Sequence, residues 1–478
     1  MFIAATISSS RIWSCDGAKV PEPVELKSLQ TVQERIVDLV GDGYSVNHAS
    51  VALDQVKEID KNVKAMKGDP KISDIKAKVA ITEGVVGAVG DLILKVRIGD
   101  DYDIGSSALN VVDQLSQFGV LLGPEGEMYA IVVGGLTSLT TTMLTISRPK
   151  KKTALMKMQD AIIEQMKSEF IAAEFAGLSR LVEGQLKTMT EKTRLMEDSI
   201  AEFRKDDAPF DDATKQRISA NVNNADGVAA IGEVESYVET NRKSTNHERG
   251  VQVGKALVLH SRLTSIRVLE LLQLQNVYLW KSWSLKQRNI LQEEIDRAKT
   301  QNCEVASFVF GFPDKDSKYT YSGLYSLSYK QLKHIEDAAG CGKKFPGSPV
   351  TIGGGIHLAC SASSEDRVQV TATYEDNEST KWVTFNAGGG KLRIFSIGAA
   401  GYMFGSGYTT VLNDRKAVMV WSPGNPVSNG EWTVDGSVIT CTAYNQAIHY
   451  NEGVAYLDTY YKTDAITDYT ADWMLVPR

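Results

Sequence analysis

The range Met128–Ser147 contains no charged residue, although charged positions are frequent elsewhere in the chain. Glu127 precedes it, and the basic run Arg148-Pro149-Lys150-Lys151-Lys152 follows it. A helix over this range would be about 30 Å long, close to the thickness of the hydrocarbon core of a bilayer. The pattern fits both the central helix of a large bundle and a helix that enters a membrane. The two interpretations are compatible, because a buried helix can be released into lipid.

The preceding segment, Asp103–Leu122, predicts an amphipathic helix. Its apolar positions fall on one face: Ile104, Ala108, Val111, Leu115, Phe118 and Leu122. Gly123-Pro124-Glu125-Gly126 then predicts a turn. Asp103–Ser147 is therefore expected to form a helical hairpin whose two arms could each cross a bilayer. In a soluble bundle, the same pattern would only pack two helices against their neighbours.

If the hairpin enters a membrane, one set of apolar residues is expected to meet lipid. These residues are Leu115, Phe118, Leu122, Ile131, Val132, Val133, Leu136, Leu139, Met143, Leu144 and Ile146. Thr137, Thr141 and Thr145 would give the second arm a weakly polar stripe. Acidic side chains at the turn, Glu125 and Glu127, oppose insertion of the tip unless they are neutralised.

Helical periodicity extends over residues 1–300 and predicts an N-terminal α-helical bundle. Val32, Ile36 and Val40 recur at four-residue spacing, as do Ile162, Met166 and Phe170. Ala256–Leu274 is apolar on most faces and predicts a deeply buried helix. Gly84, Gly87 and Gly90 form a small-residue face suited to close helix packing.

Strand-like alternation replaces the helical pattern in residues 346–478. Arg367–Tyr374 alternates strictly, and Lys391–Phe395 and Val438–Thr442 do so more loosely. Three repeats of about 45 residues each end on a tryptophan strand, at Trp382, Trp432 and Trp473. This period and strand number predict a C-terminal β-trefoil-like domain. Residues 301–345 are rich in tyrosine and are expected to form a junction between the two domains.

Composition excludes several classes of function. The net charge of −7 over 478 residues gives no electrostatic footprint for nucleic acid. The five cysteines form no CxxC pair, so neither a metal site nor another cofactor is expected. One disulfide among Cys341, Cys360 and Cys441 is compatible with their shared region, and an odd count leaves at least one thiol unpaired. The N-terminus carries no clear signal peptide, and the sole sequon is Asn377-Glu378-Ser379.

Catalytic and phosphate-binding motifs are absent from the sequence, so an enzyme is not expected. Gly388-Gly389-Gly390-Lys391 lacks the spacing of a phosphate loop. Gly250 and Gly254 are one residue too close for such a loop and are interpreted as turn or helix-packing glycines. His260 lies in the apolar helix and is interpreted as a core histidine.

The order of these segments resembles the box-jellyfish family of pore-forming cytolysins, whose helical part is itself similar to the bundle of bacterial Cry insecticidal toxins. The resemblance is carried by Gly84–Gly90, Gly123–Ser147, Val234–Val238, Val268–Trp280 and the final strand Asp472–Val476. It implies a protein secreted into venom or stinging capsules that acts at target cell membranes, oligomerises there and inserts N-terminal helices.

The resulting hypothesis is a secreted pore-forming cytolysin whose C-terminal domain binds membrane lipids or a glycan or protein receptor. Aromatic residues of the repeats that are expected to be exposed and to contact the receptor are Tyr402, Tyr408, Tyr450 and Tyr460. The tryptophans are not preceded by the Q-x-W triplet of ricin-type lectins, which counts against sugar binding of that type. The alternative is a non-toxic, lectin-like carrier of lipid or glycan, which would not permeabilise membranes.

Overall fold

The computed structural model describes residues 29–68, 75–98, 101–120, 127–149, 151–169, 180, 182–184, 225–244, 246–280, 285–314, 316–353, 356–361, 367–409, 415–421, 429–451, 454–458, 473 and 475–477. Within these ranges a mostly helical N-terminal part is followed by a β-rich C-terminal part. This order of classes agrees with the sequence prediction.

The helical part contains eleven α-helices among the described residues. They are α1 (Leu29–Gly41), α2 (Val46–Gly68), α3 (Ile75–Ile98), α4 (Asp101–Val120), α5 (Glu127–Thr145), α6 (Ala154–Glu169), α7 (Ala225–Asn241), α8 (His247–Trp280), α9 (Leu285–Ala306), α10 (Lys318–Tyr325) and α11 (Tyr329–Ala339). A short 3-10 turn, Ser307–Phe310, separates α9 from α10.

Helix α8 runs through the centre of the bundle. Every residue from 256 to 272 is buried, and α8 packs against α4, α5, α6, α7, α9, α10 and α11. A helix that is apolar on most faces can hide those faces only when neighbours surround it. The prediction of a deeply buried helix over Ala256–Leu274 is confirmed for the side chains described there.

Glycines allow helices α8 and α10 to cross in close contact. A Cβ atom added to Gly250 would lie 1.8 Å from the Tyr319 carbonyl oxygen, and one added to Gly323 would lie 2.2 Å from the Gly250 backbone. Gly254 also faces the Gly323 backbone, at 3.3 Å. The interpretation of Gly250 and Gly254 as helix-packing glycines is confirmed, because a Cβ atom at Gly250 would overlap the α10 backbone and one at Gly254 would contact it tightly.

Other helical periodicities also correspond to buried faces. Val32 and Ile36 of α1 are buried together with Leu39, and Ile162 and Met166 of α6 are buried in the same core. Phe170 lies outside the described residues.

Residues 301–345, expected only as a junction, are largely helical. They contain the end of α9, the 3-10 turn, α10 and α11. Helix α11 begins at a capping box in which Ser328 accepts a hydrogen bond from the Gln331 amide, and it ends at Gly340 with φ of +62°.

A disulfide joins Cys303 at the end of α9 to Cys341 just after α11, with Cα atoms 5.8 Å apart. Cys360 and Cys441 are buried free thiols in the β-rich part. The disulfide that the sequence left possible within the set Cys341, Cys360 and Cys441 is therefore not formed. The fold brings Cys341 next to Cys303 of α9 and not next to the strands. Cys15 lies outside the described residues.

The C-terminal part contains thirteen strands among the described residues. They are β1 (Gly347–Ile352), β2 (His357–Ala359), β3 (Arg367–Gln369), β4 (Thr371–Thr373), β5 (Lys381–Gly388), β6 (Lys391–Ser396), β7 (Gly401–Thr409), β8 (Lys416–Trp421), β9 (Trp432–Asp435), β10 (Val438–Cys441), β11 (Gln446–Asn451), β12 (Val454–Asp458) and β13 (Leu475–Pro477). The predicted strands at Arg367, Lys391 and Val438 are present, the first interrupted at Val370.

Strand pairing recurs three times along this part. The first strands of the three repeats are β1, β6 and β10. Strand β1 pairs with β5, which holds Trp382, and with the final strand β13. Strand β6 pairs with β5 and with β9, which holds Trp432, and β10 pairs with β9. The Trp473 amide donates to the Ser437 carbonyl, 2.8 Å away, which brings the chain end beside β10. The third strand of each repeat follows its second strand: β3 and β4 together in the first repeat, β8 in the second and β12 in the third. These third strands pair with one another, as β4–β12, β8–β12 and β3–β8.

The three repeat tryptophans make the same buried contact. Each indole N–H donates to a backbone carbonyl in the second strand of its own repeat. The pairs are Trp382 to Leu358 at 2.8 Å, Trp432 to Met403 at 3.2 Å and Trp473 to Ile448 at 3.0 Å. All three side chains belong to one apolar core of the β-rich part. Each repeat therefore closes on a side chain that satisfies its only polar atom within that core.

Aromatic side chains join the two parts of the molecule. Tyr321 and Tyr325 of α10 are buried in one continuous core with Phe385, Phe395 and Tyr402 of the β-rich part. The rings of Tyr325 and Phe385 lie 6.3 Å apart, edge to face. The junction is therefore an apolar interface rather than a solvated linker.

Candidate functional site: helices α4 and α5

Helix α5 occupies the uncharged range on which the membrane hypothesis depends. Its side chains from Val132 onward are described, and five of the predicted insertion residues, Val132, Leu136, Leu139, Met143 and Leu144, are almost fully buried. Ile146 just beyond the helix is buried as well, and Val133 packs partly buried against the same core. In this state the apolar face of α5 contacts protein, as the bundle interpretation requires.

Leu115 of α4 is also buried, with 7% of its surface exposed. The side chains of Phe118 and Ile131, and the whole of Leu122, lie outside the described residues. The turn predicted at Gly123–Gly126 lies outside them too. The described arms pack on different neighbours, because α4 lies mainly against α3 and α11 whereas α5 lies mainly against α2 and α8.

Threonine hydroxyl groups of α5 are satisfied within the helix itself. Thr140 donates to the Leu136 carbonyl at 2.8 Å, and Thr141 and Thr145 donate to carbonyls one turn earlier at 3.0 Å. Thr142 makes the same contact with the Ser138 carbonyl at 2.9 Å. A hydroxyl that bonds to its own helix needs no partner from another segment. The predicted stripe is thus less polar than its composition indicates, although the Thr137 hydroxyl finds no hydrogen-bond partner.

Helix α2 contacts α5 through two hydrogen bonds of Gln55 and one close apolar contact. The Thr142 hydroxyl donates to the Gln55 amide oxygen at 3.3 Å. The Gln55 amide nitrogen donates to the Ser138 hydroxyl at 2.6 Å. One turn away, a Cβ atom added to Gly135 would lie only 2.8 Å from Cγ1 of Ile59. Separating α5 from α2 would expose Ile59, which is 1% accessible, so the separation requires another apolar surface to replace this one.

Helix α4 forms ion pairs in its first turn and again about three turns later. Asp101 pairs with Arg262 of α8, and Asp113 pairs with Lys299 of α9. Asp103 lies 3.8 Å from the Lys95 ammonium of α3 and 3.5 Å from the Lys330 ammonium of α11. Salt bridges between exposed groups contribute little individually, but these connect α4 to four other helices and therefore define its position.

A buried polar cluster lies where α4, α6, α8 and α11 meet. The Arg262 guanidinium donates to the Gln165 amide oxygen at 2.5 Å and lies 3.9 Å from the centre of the Tyr102 ring. His334 of α11 packs edge to face on the same ring at 5.7 Å. Burial, with a smaller effect of the Arg262 charge, lowers the pKa of His334 to about 3.

His260 is a second buried histidine on α8. Its Nδ1 atom is 2.7 Å from the Asn302 amide oxygen, and burial lowers its pKa to about 4 against the opposing effect of that hydrogen bond. The interpretation of His260 as a core histidine is confirmed. Sequence reasoning missed the Arg262–His334 cluster, although an arginine inside a leucine-rich helix signals that a buried partner must exist.

The tyrosines predicted to contact a receptor differ in exposure. Tyr402 was expected to be exposed, but only 1% of its surface is accessible and its hydroxyl donates to the Pro313 carbonyl at 3.2 Å. This expectation is wrong, because α10 and the preceding loop cover that side of β7. Tyr450 is partly buried against Trp473, with ring centres 5.9 Å apart. The Tyr408 side chain and the whole of Tyr460 lie outside the described residues.

Two further features of the described residues bear on function. No helix in these ranges combines the length and the apolar character needed to cross a membrane. In the same ranges, no three or more His, Cys, Asp or Glu side chains come close enough together to hold a metal ion.

Comparison with known proteins identifies one family. Residues 27–302 match the family model described as the CaTX-A toxin domain. No curated protein and no solved structure shows significant similarity to the chain. The match covers more than half of the chain and includes α1 to α8 and most of α9. The resemblance to jellyfish toxins is therefore confirmed, and the chain belongs to the CaTX-A toxin domain family of cubozoan jellyfish toxins.

Proposed function

We propose that the protein is a secreted pore-forming cytolysin that binds target membranes through its C-terminal part, oligomerises and inserts α4 and α5. The observation that carries the proposal is the combination of a toxin-family match with the properties of α5. This helix carries no charge beyond its first residue, Glu127, buries its described apolar face, and bonds most of its threonine hydroxyls to its own backbone. Such a helix leaves few unsatisfied polar groups when it moves from protein into lipid.

An oligomer is required because one pair of helices cannot enclose a lumen. In this assembly the apolar face of α5 contacts lipid and the remaining faces contact neighbouring copies. The bundle supplies the starting state, in which the same apolar face is covered by α2 and α8. Transfer costs little apolar burial when the lipid contact replaces that protein contact.

The C-terminal part is proposed to be a β-trefoil that recognises the target cell. Three observations support this fold: the threefold strand pairing, the mutual pairing of the third strands, and the three equivalent tryptophan hydrogen bonds. Receptor contacts through Tyr408, Tyr450 and Tyr460 stay a prediction. The receptor class, whether lipid, glycan or protein, follows from comparing cells with pure lipid vesicles.

A reversible crosslink tests whether α5 leaves the bundle. In the double variant Ile59→Cys/Gly135→Cys, the two side chains lie within reach of a disulfide between α2 and α5. The oxidised variant should bind red cells but release no haemoglobin, and a reductant should restore lysis. Wild-type protein treated with the same reductant is the control, because the native Cys303–Cys341 bond is reduced as well.

Lysis by the fully crosslinked protein at the wild-type rate would show that α5 stays on α2 and would remove it from the mechanism. Absence of lysis by the folded wild-type protein, on cells and on vesicles, would instead favour a lipid or glycan carrier.

A further inference from the structure

His247, the first residue of α8, connects the helical part directly to the β-rich part. Its Nδ1 atom lies 2.6 Å from the Ser322 hydroxyl oxygen of α10. Its Nε2 atom lies 2.9 Å from a carboxylate oxygen of Glu378, in the 3-10 turn Glu378–Thr380 between β4 and β5. A single imidazole therefore bridges three segments at the edge of the aromatic junction.

The number of available protons determines the charge of this imidazole. The Ser322 hydroxyl has one proton, and it donates that proton to the Ile397 carbonyl. The proton between Ser322 and His247 must therefore come from Nδ1. A carboxylate at neutral pH accepts only, so the proton between His247 and Glu378 must come from Nε2. An imidazole that donates from both nitrogens is an imidazolium cation.

The surroundings allow this cation to exchange its proton with solvent. The His247 and Glu378 side chains are 26% and 50% exposed. The positive end of the α8 dipole disfavours a cation at the first helical residue, so Glu378 is the group that stabilises it. The adjoining segments carry further charged groups. Beside His247 and α10 these are Glu248, Arg249, Lys318, Arg242 with its partner Glu239, and Lys243 with its partner Asp316. Beside Glu378 they are Glu375, Asp376 and Lys381.

We propose that His247 is a proton-controlled latch between the toxin domain and the β-rich part. The protonated ring makes all three contacts and holds the turn of Glu378 against α8 and α10. Loss of the proton removes one donor, leaves a nitrogen lone pair facing a carboxylate or a hydroxyl oxygen, and loosens the edge of the junction. The latch therefore closes when the ring gains its second proton, in more acidic solution, and weakens when the ring loses that proton, in more alkaline solution.

Two measurements on the full chain test the latch. Selective ¹⁵N labelling of histidine should show both ring nitrogens of His247 protonated at about pH 6, the signal being assigned by its loss in His247→Gln. Hydrogen exchange, corrected for intrinsic rates, should show protection of the Glu378–Thr380 turn falling about tenfold between acidic and alkaline solution, as expected for loss of one hydrogen bond to a charged group.

The variants His247→Gln and Glu378→Gln should remove this pH dependence. His48→Gln is the matched control, because His48 lies in α2 and contacts the Ser45 hydroxyl at 2.9 Å, and it should behave as wild type. A neutral His247 ring at about pH 6, or equal pH dependence in wild type and His247→Gln, would overturn the proposal. Neither readout depends on lysis, so the latch and the proposed pore formation can fail separately.

Discussion

Acidification should destabilise the helical part, because two of its buried histidines have no favourable way to accept a proton. The pKa values of His334 and His260 are lowered from 6.5 to about 3 and about 4, mainly by burial. A base whose pKa is lowered by folding binds its proton more readily in the unfolded chain. Its contribution to stability is therefore complete above pH 6.5 and is lost as the pH falls toward the folded pKa.

The size of the effect follows from these shifts. One pKa unit corresponds to about 1.36 kcal/mol, so between pH 6.5 and about pH 5 each histidine lowers the free energy of unfolding by about 2 kcal/mol. The pair together should contribute a loss of about 4 kcal/mol, a large fraction of the stability of a typical domain.

Urea unfolding at about pH 7.5 and about pH 5 measures this loss. Far-UV circular dichroism follows the helices, and tryptophan fluorescence follows tertiary structure in both parts of the chain, with Trp280 in α8 and Trp382, Trp432 and Trp473 in the core of the β-rich part. The variants His334→Phe and His260→Gln remove one titrating group each. The loss of stability on acidification should shrink by about 2 kcal/mol in either variant.

The comparison between variants removes the contribution of other groups. Burial raises the pKa of Glu336, which acts in the opposite direction because the folded state then holds its proton more firmly. That effect is present in every variant and cancels in the difference. Equal losses in wild type, His334→Phe and His260→Gln would refute the reasoning and place the acid sensitivity elsewhere.

Two further predictions concern helix packing and the native disulfide Cys303–Cys341. Gly323→Ala would place a Cβ atom 2.2 Å from the α8 backbone. This variant should lower the free energy of unfolding by about 2 kcal/mol or more. The control Gly232→Ala has nothing within 4 Å of the added Cβ atom, so it should leave the urea midpoint unchanged or raise it. Equal midpoints for the two glycine variants would contradict the observed helix crossing. Cys303→Ser with Cys341→Ser opens a loop of 38 residues and should cost about 3–4 kcal/mol; a thermal midpoint equal to that of wild type would show that the bond adds no stability.

Much of the fold follows from local pattern because the governing interactions are local. The helices α1, α5 and α8 bury faces that the 3.6-residue period marks directly. The three tryptophan strands follow from alternation and from a period repeated three times. The sequence therefore predicts both structural classes and their order.

Contacts between the two parts could not be predicted in this way. Tyr402 alternates like other strand aromatics, and only the position of the loop before α10 decides that it is buried. The pairing of Cys303 with Cys341 likewise depends on how α11 returns beside α9. Short helices such as α10 and α11 span too few turns to show a clear period, although the spacing of Ser328 and Gln331 was a local signal for the start of α11.

The candidate site shows the same division. Burial of Val132, Leu136 and Met143 follows from their apolar character, but the neighbours that cover them do not. The role of Arg262 required the positions of Asp101, Tyr102 and His334, which lie far from Arg262 in the chain. Electrostatic partners of this kind are set by tertiary structure.

The disulfide also determines what proteolysis can achieve. Cys303 lies directly after the family-matched range, and Cys341 lies six residues before the first strand. A protease that cuts anywhere between them leaves the toxin domain and the β-rich part covalently joined. Cleavage in that segment can separate the two parts only after reduction, so any maturation step that releases them by proteolysis alone must act outside it.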